Sequence, residues 1–461
     1  MSDIEKLRSE MEKITAEMLK LLKTRTDIAK EIGTLKNEQG LTVTDESRED
    51  ELKNKMMKIC DETGFDKSLA TRFLNFLLNE SVKVQSSESQ THLTIFRKAK
   101  DLERQGKKII HLEVGEPDFK PPIGIQKSLS EIYDEGFGKY GPVKGIPEFR
   151  DVIAKFTNDN FDCTINTENV MVIPGARFGV FLAFSTLLNS GDEVIIIEPA
   201  WPAYRQCAIN AGVKVRSIKT TLQNKWEPSL EQINSSINNN TKMIVLNYPN
   251  NPTGKILSEK LMDSIFEIAK KHDLYILSDE IYSNYSNEEW KSVLTYNYEK
   301  SIITQSFSKS HSMTGYRIGY VISSNTIIEK MAKLQALCLT NVSEPIQSVA
   351  MKSINDDVSN NRKVVRERLN ILSELVQNMG LEFEIPDGAM YIFARMKNNI
   401  NTTELAEKLL DHGLALAPGN GFGDYKHFFR ISACVEKEKI IEGMDILKAI
   451  TNDMWWRKLL Q

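Results

Sequence analysis

The stretch Lys242 to Gly254, KMIVLNYPNNPTG, opens with an aliphatic, β-branched run and stops in a turn of Pro, Asn and Gly. Such a run, apolar at consecutive positions and bounded by turn residues, reads as a buried strand. The Pro and Gly residues fix the turn, and Asn251 points an amide toward whatever that turn faces. Working outward, the same grammar recurs in KIIHLEV from Lys108, VMVIP from Val170, EVIIIEP from Glu193, YILSDE from Tyr275 and SIITQSF from Ser301. Amphipathic helical stretches separate these runs. The alternation predicts a doubly wound α/β domain with a mostly parallel sheet, whose ligands bind at the carboxyl ends of the strands.

Chemistry-bearing residues fall at those ends. SDEIY places Asp279 and Tyr282 at the mouth of one strand, where a carboxylate could pair with a protonated ring nitrogen. The competing reading of Asp279 is a helix N-cap. SFSKSHSMTGYRIGY, Ser306 to Tyr320, puts Lys309 behind two hydroxyls and eight residues before Arg317. A lysine amine can form a Schiff base with an aldehyde, while a guanidinium and hydroxyls hold a phosphate. Gly175-Ala176, after VMVIP, opens a helix whose N-terminus suits the same anion. Taken alone, Lys309 would read as a solvated surface cation. From about Ser353 a long charged helix and shorter strands around Tyr391 and Phe429 predict a smaller α+β subdomain.

The 461-residue chain exceeds one ordinary core, so two or three domains are expected. Its 41% hydrophobic and 26% charged residues and formal net charge of −4 are ordinary for a globular protein, with no basic excess to point to nucleic acid or a membrane surface. Five scattered cysteines, none in a C-x-x-C pair, suit reduced thiols in a cytosol. No metal site is expected.

Residues 1–88 follow different rules. Leu7, Met11, Ile14, Met18, Leu21, Ile28, Ile32 and Leu35 recur in steps of four and three, the pattern of a long helix with a bundle seam. Arg25 falls on that seam and Arg8 beside it. A second helix carries carboxylates at Asp45 and Glu49 before Leu52, Met56 and Ile59; a third aligns Leu74, Leu77, Ser81 and Val84, with Gln85 one turn after Ser81. Arginine on a seam is costly unless an anion meets it. The bland explanation is an Arg25–Glu49 ion pair. SSESQT, Ser86 to Thr91, reads as a linker.

The C-terminal motifs, GEPDF from Gly115, YGPVKGIPEFR from Tyr140, Trp201, NPTG, SDEIY, S-x-S-K with Arg317, and FRIS around Arg430, together resemble the fold-type I pyridoxal-phosphate aminotransferases of the aspartate and aromatic family. The resemblance covers about residues 90–455. It implies a large cofactor domain over about 125–350 within 89–461, with a small domain from about 90–124 and 351–455. It implies Lys309 as Schiff-base lysine and proton shuttle, Asp279 on the pyridine nitrogen, Asn251 and Tyr282 on the ring hydroxyl oxygen, and Trp201 stacked on the ring. Ala176, Ser306 and Arg317 would hold the phosphate, with Tyr140 reaching it from a neighbouring subunit. Arg430 would clamp the substrate α-carboxylate near Gly115. Arg177 either reads a distal carboxylate or covers a helix end.

The N-terminal positions Arg8, Arg25, Lys36, Asp45, Arg48, Glu49, Ser81 and Gln85, within T-R-T-D-I-A, G-T-L-K, D-x-x-R-E and E-S-V-K-V-Q, resemble the all-helical chorismate mutases. That resemblance implies that Arg25 and a partner subunit's Arg8 hold two carboxylates, helped by Arg48 and Ser81. Lys36 and Gln85 would reach the ether oxygen, and Glu49 and Asp45 the ring hydroxyl. The expected protein is a cytosolic, homodimeric, bifunctional enzyme of aromatic amino-acid biosynthesis. It would use small-molecule substrates, chorismate and then prephenate or an aromatic keto acid, with glutamate or aspartate as donor. The alternative is an aromatic or aspartate aminotransferase whose helical part serves dimerisation or regulation.

Overall fold

The computed structural model describes residues 3–38, 46–85, 92–122, 139–459 and scattered positions between 124 and 132. The chain separates into two compact units, Met1–Ser89 and Gln90–Gln461. The expected linker at 86–91, Asp45 and the side chain of Gln85 lie outside the described residues, as do the side chains of the C-terminal MWWRKLLQ.

The first unit is helical: α1 (Asp3–Glu38), α2 (Glu46–Thr63) and α3 (Lys67–Gln85). Asp3 and Glu5 in the first turn of α1 and Lys36 in its last complement the helix dipole. Gly64, at φ +70°, takes the left-handed position that ends α2, and Asp66 Oδ1 accepts from Leu69 N at 2.6 Å to start α3. Ala29, Cys60, Ala70 and Leu74 form the buried core. The α1 stripe is a different matter. Leu7, Met11, Ile14, Met18, Leu21, Ile28, Ile32 and Leu35 are all exposed in the single chain, Leu21 at 71%. Their spacing makes a helix with an apolar face, but α2 and α3 do not cover that face.

The second unit is built on a seven-stranded sheet. Its strands are β2 (Val170–Ile173), β3 (Glu193–Glu198), β4 (Lys214–Lys219), β5 (Thr241–Asn247), β6 (Tyr275–Asp279), β7 (Ser301–Ser306) and β8 (Gly319–Ser323). The order is β2-β8-β7-β6-β5-β3-β4, parallel except that β8 runs against β2 and β7. The apolar strands divide their side chains between two cores. Ile195, Ile197, Ile244 and Leu246 pack with Phe149, Ile153, Ile265 and Phe266 from helices on one face. Val194, Ile196, Met243 and Val245 pack with Val180, Phe184, Ile328 and Met331 on the other. A strand with a core on each side must be apolar at every position, which is why these runs show no alternation.

KIIHLEV differs from its siblings. Only Ile110–His111 is strand (β1), and it pairs with Leu414–Ala415 (β10), outside the central sheet. A separate three-stranded sheet joins Tyr391–Arg395 (β9), Ala417–Pro418 (β11) and Phe428–Ser432 (β12) in the order β11-β12-β9. The long helix Ser359–Asn378 and the last helix, Lys437–Leu459, pack against this lobe.

Candidate active sites

The carboxyl ends of β5, β6 and β7 bring the C-terminal candidates together. Asp279 ends β6 and is buried; its Oδ2 accepts from Tyr204 Oη at 2.6 Å, while Oδ1 is buried with no hydrogen-bond partner. Burial pushes its pKa up, against the Tyr204 hydrogen bond. It caps no helix. Lys309 lies on the short helix Phe307–Ser310, directly after the neighbouring strand β7. Its Nζ donates to Gly115 O at 2.5 Å, and desolvation lowers the amine below the usual lysine range.

The turn after β5 places Asn251 beside Arg430 of β12, whose Nη1 donates to Asn251 Oδ1 at 2.8 Å. Arg430 Nη2 donates to Glu113 O, and its buried Nε has no partner. The guanidinium lies 4.3 Å from the Tyr391 ring centroid and 5.0 Å from that of Phe422. Tyr282 Oη lies 2.7 Å from Tyr391 Oη. A Cβ at Gly115 would come within 1.7 Å of that Tyr391 hydroxyl, so only glycine lets the backbone approach.

A second cluster forms a cup. Gly175, at φ +88°, precedes the helix Ala176–Leu187, and a Cβ there would meet Arg317 Nη2 at 2.5 Å. Arg317 is exposed and donates to Thr314 O at 2.7 Å and Pro174 O at 3.1 Å. Ser306 Oγ accepts from Ser308 N at 3.1 Å and lies 2.9 Å from Ile318 O. Arg177 is exposed on the first turn of that helix, 4.9 Å over the Trp201 ring. Tyr140 is 88% exposed.

His311 holds the lysine turn from below. Its Nε2 lies 3.0 Å from Ser353 O, a pure acceptor, so Nε2 carries the proton and Nδ1 accepts from Ser310 Oγ at 2.8 Å. Burial pulls this imidazole down to about 4.

Sequence reasoning missed Tyr204 and Tyr391. Each meets its partner only through the fold, and the available signal was position: Tyr204 lies one turn after Trp201, and Tyr391 opens a strand.

In the helical unit, Arg25 is half-buried; its Nη1 donates to Ser81 Oγ at 2.5 Å and Leu77 O at 2.9 Å. Arg25 and Ser81 are therefore joined. Arg48 is exposed and pairs with Glu51; Lys36 and Glu49 are half-buried. Arg8 is exposed near the start of α1, about 25 Å along the same helix from Arg25 at the usual rise per residue. One chain does not bring those two arginines together.

Residues 107–447 match the class I and II aminotransferase family. The chain belongs to that family. This aminotransferase is 35% identical over 357 residues to the aspartate aminotransferase of Pyrococcus horikoshii, covering 75% of this chain and 91% of the relative. It is 29% identical over 375 residues to the aspartate/prephenate aminotransferase of Thermus thermophilus, covering 79% and 97%. The solved structure of Thermus thermophilus aspartate aminotransferase with maleate superposes with a TM-score of 0.76 at 28% identity, covering 80% and 98%. Residues 7–86 match chorismate mutase type II, so the aminotransferase carries a chorismate mutase domain at its N-terminus. The pairing supports a bifunctional enzyme, and membership of the aminotransferase family implies pyridoxal phosphate. Among the described residues, no helix is long and apolar enough to cross a membrane.

Proposed function

We propose that the N-terminal unit rearranges chorismate to prephenate and that the C-terminal unit transfers an amino group from glutamate or aspartate to prephenate or a related keto acid through pyridoxal phosphate. The observation that carries the second half is the pairing of Asp279 and Lys309. One is a buried carboxylate with a spare oxygen; the other, on the helical turn directly after the adjacent strand, is a desolvated amine.

Pyridoxal phosphate, when bound, supplies a protonated ring that takes up the electron pair left as the substrate Cα–H bond breaks. The chain's own residues do the rest. Asp279 Oδ1 is the free acceptor for a ring N–H, and Tyr204 holds the other oxygen in place. Asn251, its oxygen taken by Arg430, has its NH2 left to donate to the ring hydroxyl oxygen beside Tyr282. Trp201 would cover the ring; Ala176, Ser306, Arg317 and the partner subunit's Tyr140 would hold the phosphate. Lys309 moves the proton, and its lowered pKa brings it closer to neutrality, where proton transfer is efficient. Arg430, with Nε unpartnered, clamps the α-carboxylate near Gly115, as a planar guanidinium suits.

The choice of prephenate as keto acid is supported by the chemistry beside Trp201. Prephenate has a carboxylate beyond that of its keto-acid group, and Arg177 is a cation over the ring of Trp201. The Thermus relative named for aspartate and prephenate lends support. Initial rates with prephenate, phenylpyruvate and oxaloacetate as acceptors, each with glutamate and with aspartate, test this. Undetectable turnover of prephenate would sink the assignment.

The rearrangement is unimolecular, so fixed charges suffice. Arg25 with Ser81 holds one carboxylate, with Arg48 assisting, and the partner subunit's Arg8 holds the other. Lys36 and Gln85 would reach the ether oxygen, and Glu49 and Asp45 would bind the hydroxyl. Homodimerisation would cover the exposed α1 stripe and supply Arg8. A second reading starts from that same stripe: a helical unit that only dimerises or binds chorismate-like effectors. A full-length chain with no mutase turnover would favour it.

A further inference from the structure

The segment from His111 to Asp118 runs through the C-terminal unit as a strap. At one end Leu112 N donates to Ala415 O at 3.1 Å and Ser432 N to Leu112 O at 2.8 Å. At the other, Asp118 N donates to Cys434 O at 3.1 Å, and the Asp118 carboxylate receives both Arg368 Nη groups at 2.7 and 3.0 Å. Between these pins, Glu113 O accepts from Arg430 and Gly115 O from Lys309. The strap therefore sets where two cations of the cleft rest.

Next to the first pin, His111 Nδ1 lies 2.8 Å from Glu113 Oε1, and its Nε2 lies 3.1 Å from Glu103 Oε1 on α4 (His92–Arg104). Glu113 is fully buried and its Oε2 has no partner. A buried carboxylate is costly unless a cation meets it. We propose that His111, held between Glu103 and Glu113, is a positioning residue that fixes the Glu113 carbonyl against Arg430. This rests on reading Arg430 as the carboxylate clamp.

A doubly protonated imidazole donates to both carboxylates. The neutral ring donates to one and turns a lone pair toward the other. The groups facing His111 are those two carboxylates, with Lys100 paired to Glu103 at 2.8 Å; Phe96 of α4, ring centroids 6.0 Å away, and Leu414 and Ala415 of β10 do not titrate. The hydrogen bond to Glu113 raises the His111 pKa above 6.5, against desolvation. The clamp is therefore complete below the ordinary histidine pKa and is lost as pH rises through the higher folded value.

The test uses the full-length, cofactor-loaded enzyme, with KM and kcat for glutamate measured across the neutral range. In the wild type, KM should rise about 10-fold as pH passes the His111 pKa, with kcat moving less. His111→Gln should show the high KM at every pH, and His111→Lys, a permanent cation, the low KM at every pH. A His111→Gln enzyme that keeps the wild-type KM and its pH step overturns the proposal. So does equal loss of KM, kcat and Tm in both variants, the mark of a merely structural role. Carbon-13 NMR of labelled histidine gives a readout apart from activity: the resonance missing from His111→Gln should titrate above 6.5 in the wild type, and titration below 6.5 overturns the proposal. Arg430→Lys separates the two readings. If it leaves KM unchanged, the clamp reading falls and this inference with it; if KM rises while His111→Gln behaves as wild type, this inference alone falls.

Discussion

The two units differ in how their polar residues are held. In the aminotransferase unit the central groups are enclosed: Asp279, Arg430 and Tyr282 are buried, and a single backbone strap touches both Lys309 and Arg430. In the mutase unit Arg8 and Arg48 are exposed, Arg25 is half-buried, and the apolar stripe of α1 lies open. The difference follows the chemistry proposed for each. Tuning a carboxylate and an amine against a cofactor requires desolvation, which needs a large surrounding core. Charge stabilisation of a unimolecular rearrangement needs only fixed cations, and a second chain can bring some of them.

If the two chemistries are separate, one substitution should split them. Lys309→Ala should cut transamination by roughly 10⁴-fold and leave chorismate rearrangement at the wild-type rate, measured by parallel assays on one preparation. Simultaneous loss of both activities would break the comparison. The converse is Lys36→Ala, expected to lower mutase kcat by roughly 10²- to 10³-fold with transamination intact.

The open stripe sharpens the contrast further. Leu21→Glu replaces an exposed side chain, so the isolated chain should lose no more than about 0.5 kcal/mol. Association through α1 and mutase turnover should fall together, by roughly 10-fold or more, read by ultracentrifugation and assay. A dimer dispersed without loss of mutase rate would show that one chain suffices.

A separate effect, on stability alone, concerns the enclosed unit in acid. His311 is buried and neutral, with its folded pKa near 4 against an ordinary 6.5. An unfolded chain takes up a proton below 6.5 that the folded chain refuses until near 4. This contribution is thus present above the unfolded value and lost as pH falls through that window, by up to about 3 kcal/mol. Denaturant unfolding of His311→Gln across the same range should show a flatter acid limb.

What the sequence disclosed depends on the range of each interaction. The doubly wound sheet was legible because strands such as Ile195–Ile197 and Met243–Leu246 carry a core on each side, and so announce themselves as unbroken apolar runs. Lys309, Asp279 and Arg430 were legible because their motifs are local. Their holders were not. Tyr204 meets Asp279 across 75 positions and Tyr282 meets Tyr391 across 109, and neither pairing leaves a periodic trace. KIIHLEV has the composition of a central strand, yet its hydrogen bonds go to Gly413 and Ala415 in the smaller lobe. The α1 periodicity specified an apolar face but not whether its cover comes from the same chain.

The distance between Arg8 and Arg25 along one helix carries a genetic consequence. If each mutase site takes one arginine from each subunit, Arg8→Ala and Arg25→Ala homodimers are both dead, for opposite reasons. Mixed subunits then complement. Random reassociation of equal amounts makes half the dimers hybrids, each with one intact site and one doubly defective site, restoring about a quarter of wild-type mutase activity. Two inactive alleles would together sustain the reaction that neither sustains alone.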